Sequence, residues 1–586
     1  MKKLSIVILI VIGFFVLAVL PVQAKDTGGK GSYNQKSGQT KAMDKSGKWH
    51  HNGFPASWKR FCPPDASLTI YVNGATGVDK PRYGLSPQKP FKTINYALQN
   101  VTCMRISPEI MATIEVAAGI YDEAVSIGKN LIQLKGAGKE STFITNTTGG
   151  DVVTIYDGRG INVSGFTIQG GNRGIFARRG AVFELRDLVV ENSGYRGIEV
   201  NGNTSGQIVN CTVSGSGFDG IAITGNGSVN FVGNVESNGN GNRGIFLFLS
   251  STSAFLPQSS VVTNNNAGRG IHVGDNSSLF LYSSTLTTSQ NGDDGIGVYG
   301  NARIAINFGS SVLSDGNADG IGLGDSSSMY ASNDSLVETI NNSGDGLQLV
   351  RSSQAGLWGT FNSTGNGMHG ILCAESSNIQ LVGISHIEDN GLNLPPRDAG
   401  GVHIARSSQG RLSGETYILD NRRHGVGVFK GSGVELERGS IIRISGNELV
   451  GVSAWLNSQV SSVAGGTPPA DIVISNNGQN GLNIIEGSSC DIREGTAISD
   501  HANGSGVIVN QNSQLRFDDV TITNNTGGGV RLDDSSVEIV NSNASGNGGL
   551  DINASFGSRL TLNNNNSGLN LGCDGTVLSR GTQVCP

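Results

Sequence analysis

Charge, aromatic rings and proline are all scarce in this 586-residue sequence: charged residues make up 15% of it, aromatic residues 6%, and there are only 14 prolines. An ordinary globular core needs more large side chains, so the several compact domains that the length alone would suggest are not what this composition supports. A basic surplus is also missing. The net charge is −6; outside the first 61 residues, which hold ten Lys/Arg and two Asp/Glu, 31 basic side chains face 45 acidic ones, or −14. General nucleic-acid binding wants a basic face and is excluded on that balance. After residue 20 no apolar run is long enough to span a membrane. The seven cysteines show no zinc-site spacing.

What is present begins with a secretory signal over residues 1–24. Lys2 and Lys3 form its positive end, Leu4 to Leu20 its apolar stretch, and Val22-Gln23-Ala24 a small-residue cleavage site. Residues 25–61 are a polar leader with eight Lys/Arg against Asp26 and Asp44. A cap with the first coils is expected over 62–150, repeats over 151–570 and a tail over 571–586. An oxidising compartment permits disulfides, and two pairings are considered, Cys573 with Cys585 and Cys62 with Cys103. Cys211, Cys373 and Cys490 fall at inward strand positions, where a thiol packs as a small hydrophobe.

Glycine supplies 87 residues, and sixteen of them anchor one recurring phrase, x-Gly-(Ile/Val/Leu)-x-(apolar). The anchors run from Gly174, Gly197, Gly220 and Gly244 to Gly506, Gly529 and Gly549, mostly 23 to 26 residues apart. Extra residues before Gly401 (Ser385–Gly400) and Gly481 (Val463–Asn480) must bulge as loops. A period of this size with short alternating strands gives one solenoid coil per repeat. Ile198/Val200, Ile271/Val273 and Val507/Val509 point inward together and stack into aliphatic columns at ~4.8 Å per coil. Four residues before the anchor, Asn recurs in nine of the sixteen repeats (Asn240, Asn266, Asn291, Asn342, Asn366, Asn421, Asn447, Asn477, Asn525). Asn tolerates tight turns, and its amide can bond along the stack.

This column resembles the asparagine ladder of right-handed parallel β-helices of the pectin-lyase type. Three N-terminal phrases, Ile70-Tyr71-Val72-Asn73-Gly74, Ser86-Pro87-Gln88-Lys89-Pro90-Phe91 and Leu134-Lys135-Gly136-Ala137-Gly138, look like the opening of many secreted members of that group. The resemblance implies an all-β, single-stranded right-handed parallel β-helix of about 16–18 coils. It also implies a short capping helix at about Phe91–Asn100. Such helices host hydrolases, lyases, epimerases, adhesins and tailspikes, so the resemblance carries the fold further than the activity.

Chemistry must be sought at outward positions. The residues just before the anchors read Arg173, Arg196, Asp219, Arg243, Arg269, Asp294, Asp319, Asp345 and His369; two after them stand His272, Gly297, Gly322 and His403. Arginine forks along one face suit the carboxylate or sulfate groups of an acidic glycan. Arg173, Arg196, Arg243, Arg269 and His272 are therefore the candidate ligand-binding residues; pairing with Glu199 and Asp219 is their plain structural use. Gly297 and Gly322 should leave a depression beside the aspartates. Carboxylates one or two coils apart lie ~5 or ~10 Å from each other, which brackets both glycosidase arrangements.

Asn317-Ala318-Asp319-Gly320, Asp345-Gly346 and His369-Gly370 are similar to phrases of polygalacturonase-type glycoside hydrolases. Gly344, Met368, His403 and Ala405 depart from that pattern, and the Arg and Lys that would bind a uronate there are missing. Asp294, Asp319, Asp345, His369 and His403 are the candidate catalytic residues. The alternatives are Asp-Gly turns and a Ca²⁺ site at Asp293, Asp294 and Asp319; no cofactor is otherwise required. The expectation is a secreted or periplasmic β-helix that binds, and in one reading processes, extracellular polysaccharide, acidic glycan in particular. No nucleic-acid partner and no membrane span beyond the signal are expected, and the oligomeric state is left open. The alternatives are a structural or adhesion rod without activity, and a polygalacturonase-like hydrolase or a polysaccharide lyase or epimerase.

Overall fold

The computed structural model describes residues 42–43, 49–50, 68–101, 111–393, 398–437, 439–462, 470–565 and 568–585. The chain divides into two units, 1–60 and 61–586. Of the first, one antiparallel pair is described, Ala42–Met43 with Trp49–His50. The signal segment and the Cys62/Cys103 pairing lie outside the described residues.

The second unit is a parallel β-solenoid in which each coil contributes up to three short strands. The first sheet contains the segment after the anchor glycine, such as Ile175–Arg178, Ile198–Asn201 and Ile221–Thr224. It stacks nineteen strands, hence eighteen steps, from Val125–Ile127 to Leu571–Cys573. The second and third sheets hold runs such as Val182–Arg186 and Val189–Glu191. They merge near the C-terminal end, where Ser489–Ser499 and Gln514–Thr523 pass through both. The strand-to-strand pairings described in this unit are parallel and mostly in strict register: Ile175, Ile198, Ile221, Ile245, Ile271, Ile296 and Ile321 form one continuous row. Side chains alternate along a strand, so each coil sends β-branched residues into one shared core; Ile198, Val200, Ile271, Val273, Val507 and Val509 are all buried in it.

The asparagine column is longer than nine repeats suggest. Backbone N–H of each member donates to the side-chain Oδ1 of the next from Asn240 through Asn266, Asn291, Asn317, Asn342, Asn366, Asn390, Asn421 and Asn447 to Asn477. Asn317 and Asn390 escape a fixed offset from the anchor because their turns differ by one residue or more. His501 stands in for Asn at the next step, accepting from Asn477 N on Nδ1 (3.2 Å) and donating its own N–H to Asn525 (3.3 Å), which leads to Asn547. The anchor glycines follow from this ladder. A Cβ on Gly370 would stand 2.4 Å from Ile387, 2.8 Å from Asn390 Nδ2 and 3.0 Å from the Gly401 carbonyl.

The capping helix spans Ile94–Asn100, shorter than Phe91–Asn100 because Thr93 ends it as N-cap, accepting from Tyr96 N. Glu123 accepts the Ile94 and Asn95 N–H groups at 2.8 Å each, satisfying donors that a helix start leaves open. At the other end Cys573 and Cys585 are bonded. No helix among the described residues is long and apolar enough to cross a membrane.

Candidate functional site

Three zones succeed one another along the outward side of the first sheet. In the first, the arginines are bound to acids of neighbouring coils. Arg173 contacts Asp151 (3.1 Å) and Glu199 (2.8 Å), Arg196 contacts Glu199 and Asp219 (3.2 Å each), and Arg243 reaches Asp219 at 3.6 Å. Arg269 holds Asp293 (3.2 Å) and Asp294 (2.8 Å). Their guanidinium planes also lie over rings, Arg173 on Phe176, Arg243 on Phe246 and Arg269 on Tyr299. His272 is packed beside this chain, its Nδ1 2.9 Å from Arg269 Nη1. Burial, together with Arg269 and Arg243, holds the imidazole down to about 3; it is neutral. The forks offered by the sequence to an anionic ligand each have at least one carboxylate partner.

In the second zone the depression expected at Gly297 and Gly322 is filled. A Cβ on Gly322 would meet Tyr299 Oη at 2.6 Å, and one on Gly297 would meet the Arg269 side chain at 2.7 Å. These glycines exist to admit Tyr299 and Arg269, and the Tyr299 hydroxyl donates to Asp294 Oδ2 (2.7 Å). Asp294 is buried, with Arg269 already against it. Burial pushes its carboxyl up and Arg269 opposes that rise. Asp293 and Asp294 thus share Arg269, whose charge stands where a cation would sit. Among the described residues no three His, Cys, Asp or Glu side chains come together as a metal-ligand set.

Asp319 and Asp345 occupy successive coils and are linked. Asp345 N donates to Asp319 Oδ1 (2.7 Å), and Gln348 Nε2 lies 3.0 Å from both Asp319 Oδ2 and Asp345 Oδ2. Burial, then the Asp345 charge, pushes the Asp319 carboxyl up to about 7. Burial alone would raise Asp345 too, but His369 and its hydrogen bonds outweigh that and hold it below the usual carboxylate range. His369 donates its backbone N–H to Asp345 Oδ1 (3.0 Å), and its Nδ1 lies 2.6 Å from the same oxygen. Asn317, read from sequence as the start of an Asn-x-Asp-Gly site phrase, turns inward into the ladder instead.

The third zone is a groove of about 590 Å³. Its floor is a small apolar cluster outside the main core, Ala374, Ala405 and Phe429 packed with Val350, Leu372 and Trp455. His369 and His403 lie in the same floor, ring centroids 4.7 Å apart, and His403 stacks on Phe429 at 4.8 Å. Burial, then His369, holds His403 down to about 3. The rim carries Asp398, Arg406, Lys430, Leu456 and Glu486. Arg406, Lys430, Leu456 and Glu486 adopt the left-handed conformation where the strand ends (φ 55–58°), which turns the chain toward the second sheet. Arg406 pairs with Glu375.

The groove is not where the sequence placed its cleft. It lies over His369 and His403, not over Asp294 or Asp319, and among the described residues of the insertion before Gly401 Asp398 reaches it. Its floor belongs to a third outward column, beside the two that carry the charged residues. Four residues after the anchors stand Val350, Ala374, Ala405, Phe429 and Trp455, and Ala374, Ala405, Phe429 and Trp455 pair in register on successive coils. An apolar row on an outward face is the signal that was there to find.

His369 Nε2 is buried with no hydrogen-bond partner, a state that costs ~1–3 kcal/mol for a neutral polar group.

Residues 151–307 match the family model described as right handed beta helix region. Over those residues the parallel solenoid matches a right-handed β-helix. No curated protein matches the chain. Among solved structures, the β-helix is similar to pectin methylesterase PemA from Erwinia chrysanthemi (12% identity, 43% of this chain and 90% of that one, TM-score 0.25). It is also similar to the gene product 12 N-terminal fragment of bacteriophage Phi29 (14% identity, 80% and 88%, TM-score 0.34). A third is the catalytic domain of an alpha-1,3-glucanase (13% identity, 83% and 70%, TM-score 0.24).

Proposed function

We propose that this β-helix binds a carbohydrate chain outside the cell, with the groove over His403, Phe429 and Trp455 as its principal seat. One observation carries the reading: an apolar, ring-lined floor set among polar and charged rim groups in a groove on the outer face. Sugar rings present an apolar face to such a floor and hydroxyls to such a rim. The rim joins Arg406 and Lys430 to Asp398 and Glu486, so it suits neutral and uronate sugars alike by charge. The arginine chain contributes less directly, since its forks are engaged within the protein. Calorimetric titration with neutral and acidic oligosaccharides, with and without added Ca²⁺, tests the reading. We expect Trp455→Ala and Phe429→Ala each to weaken binding 10-fold or more, since aromatic anchors dominate such sites. Equal affinities for both variants and the native protein would sink it.

A second reading, glycosidic hydrolysis, is favoured by Asp319 and Asp345. Their environments drive the two carboxyls apart, one held protonated to about pH 7 and the other ionised, the pattern of an acid and base at work on one bond. New reducing ends that disappear in Asp319→Asn would support it.

A further inference from the structure

We propose that Asp345, His369 and His403 form a hydrolytic site for carboxylic esters carried on a sugar seated in the groove. The sugar side rests on the carbohydrate-binding reading above; the chemistry rests on the hydrogen bonding of three side chains.

Two N–H groups and one imidazole nitrogen converge on Asp345. His369 N and Nδ1 approach Oδ1 at 3.0 and 2.6 Å, and Gln348 Nε2 approaches Oδ2 at 3.0 Å. A carboxyl so surrounded is an ionised acceptor, and the imidazole tautomer that matches it carries its proton on Nδ1. Nε2 then carries the lone pair. It lies on the ring edge away from Asp345, in a residue that lines the groove and is 4% exposed, and it has no partner. An imidazole fixed in this way by a buried carboxylate is an oriented general base.

His403 supplies the complementary group. Its Nδ1 faces the Ala399 N–H at 3.5 Å, which leaves the ring proton on Nε2. Its ring is 4.7 Å from that of His369 and stacked on Phe429. A neutral imidazole N–H in a water-poor site can stabilise developing negative charge on oxygen.

In the reaction, His369 Nε2 takes a proton from water and the water oxygen bonds to the ester carbonyl carbon. The carbonyl oxygen gains the negative charge and accepts the His403 N–H. The carbon–oxygen ester bond then breaks, and the departing alkoxide takes the proton back from His369. The products are a carboxylic acid and an alcohol, with no further reactant required. Nε2 is buried from solvent in this conformation, so the floor side chains must part as the sugar enters. Glycosidic cleavage fits this floor less well, because the carboxyl held protonated near neutrality, Asp319, is not among the groove's lining residues.

The full-length protein is incubated with O-acetylated xylan and, separately, with methyl-esterified oligogalacturonate, and acetate and methanol are measured. We expect release of one of them. In Asp345→Asn the amide can donate to Nδ1 and move the ring proton to Nε2, so the rate should fall by ~10⁴-fold while affinity for de-esterified oligosaccharide is kept. His369→Ala should lose a similar factor and regain part of it with added imidazole, a recovery that a merely structural role would not give. His403→Gln should lower kcat more than it changes KM, and it serves as the second variant if Asp345→Asn does not fold. A native protein that binds de-esterified xylan but releases neither product overturns this proposal and leaves the binding reading standing. Absence of binding as well removes both. New reducing ends without acid or alcohol, or an Asp345→Asn protein at native rate, also overturns it.

Discussion

His501 occupies a position that its neighbours along the ladder give to asparagine. Its Nδ1 must stay unprotonated to accept from Asn477 N, and burial holds the ring down to about 4, against ~6.5 in an unfolded chain. Between those values the unfolded state binds the extra proton, so the stability this group contributes is complete above pH 6.5 and is lost as pH falls toward 4. The displacement corresponds to about 3 kcal/mol. We expect His501→Asn to restore the amide ladder and to outlast the native protein in denaturant at pH 4 to 5, with a much smaller difference at pH 8; pH-dependent urea unfolding checks this. Asp319 has the opposite sign. Its folded value of about 7 lies above the ordinary carboxyl value, so its contribution is complete below pH 4 and is lost as pH rises through 7. Asp319→Asn should therefore gain stability relative to the native protein as pH is raised from 5 to 8, visible in thermal melts. At this scale the sequence was only partly legible. Asn317 and Asp319 stand two apart in one turn, yet the first is a buried ladder member and the second a half-buried carboxyl at a coil-to-coil joint. Only the turn's backbone path separates them, and that path is set by contacts with other coils.

Repeated elements were far easier to read. The Gly-Ile-x-Val phrase needs only strand alternation and a period near 24 to predict a stacked aliphatic column, and both survive single departures. Ile198 and Val200 point inward for the same local reason as Val507 and Val509, some three hundred residues later. What alternation does not reveal is how outward side chains of adjacent coils fill each other's space. Gly322 looks like a gap in the sequence and is occupied by Tyr299 of the preceding coil. The anchor glycines carry the strictest demand of any repeated position. Gly370→Ala would force its methyl against Ile387, Asn390 and the Gly401 carbonyl, and overpacking of that kind costs about 1–3 kcal/mol. Faster amide exchange in the strands Ile371–Ala374 and Ala399–Ala405, relative to coils far along the rod, would register it. Unchanged exchange there would mean that the ladder can shift to admit a methyl.

Across the whole molecule, stability is nearly a sum over neighbouring coils, as in any solenoid. The ends are then the weak points. The Glu123-capped helix closes one, and the Cys573–Cys585 bond, twelve residues apart in sequence, ties the other. A loop of that size is worth ~3 kcal/mol or less. We expect reduction of this disulfide to loosen the last coils, read as faster amide exchange near Leu571–Cys573, without altering exchange or ligand affinity at the groove. The net charge of the body, −14, opposes self-association at low ionic strength.

Because each residue row advances by one step per coil, the rod behaves as a graduated scale. Asp345, His369 and His403 sit on three consecutive marks, and Phe429 and Trp455 on the next two. Adding or removing one entire coil well before Asp345 would change the length of the molecule by ~4.8 Å and leave that spacing untouched. The same change between Asp345 and His369 would part the carboxylate from its imidazole by a full mark. Half a coil anywhere would set inward columns against outward ones. Length and site composition can therefore vary independently in this architecture, provided that changes come in whole turns and fall outside five particular coils.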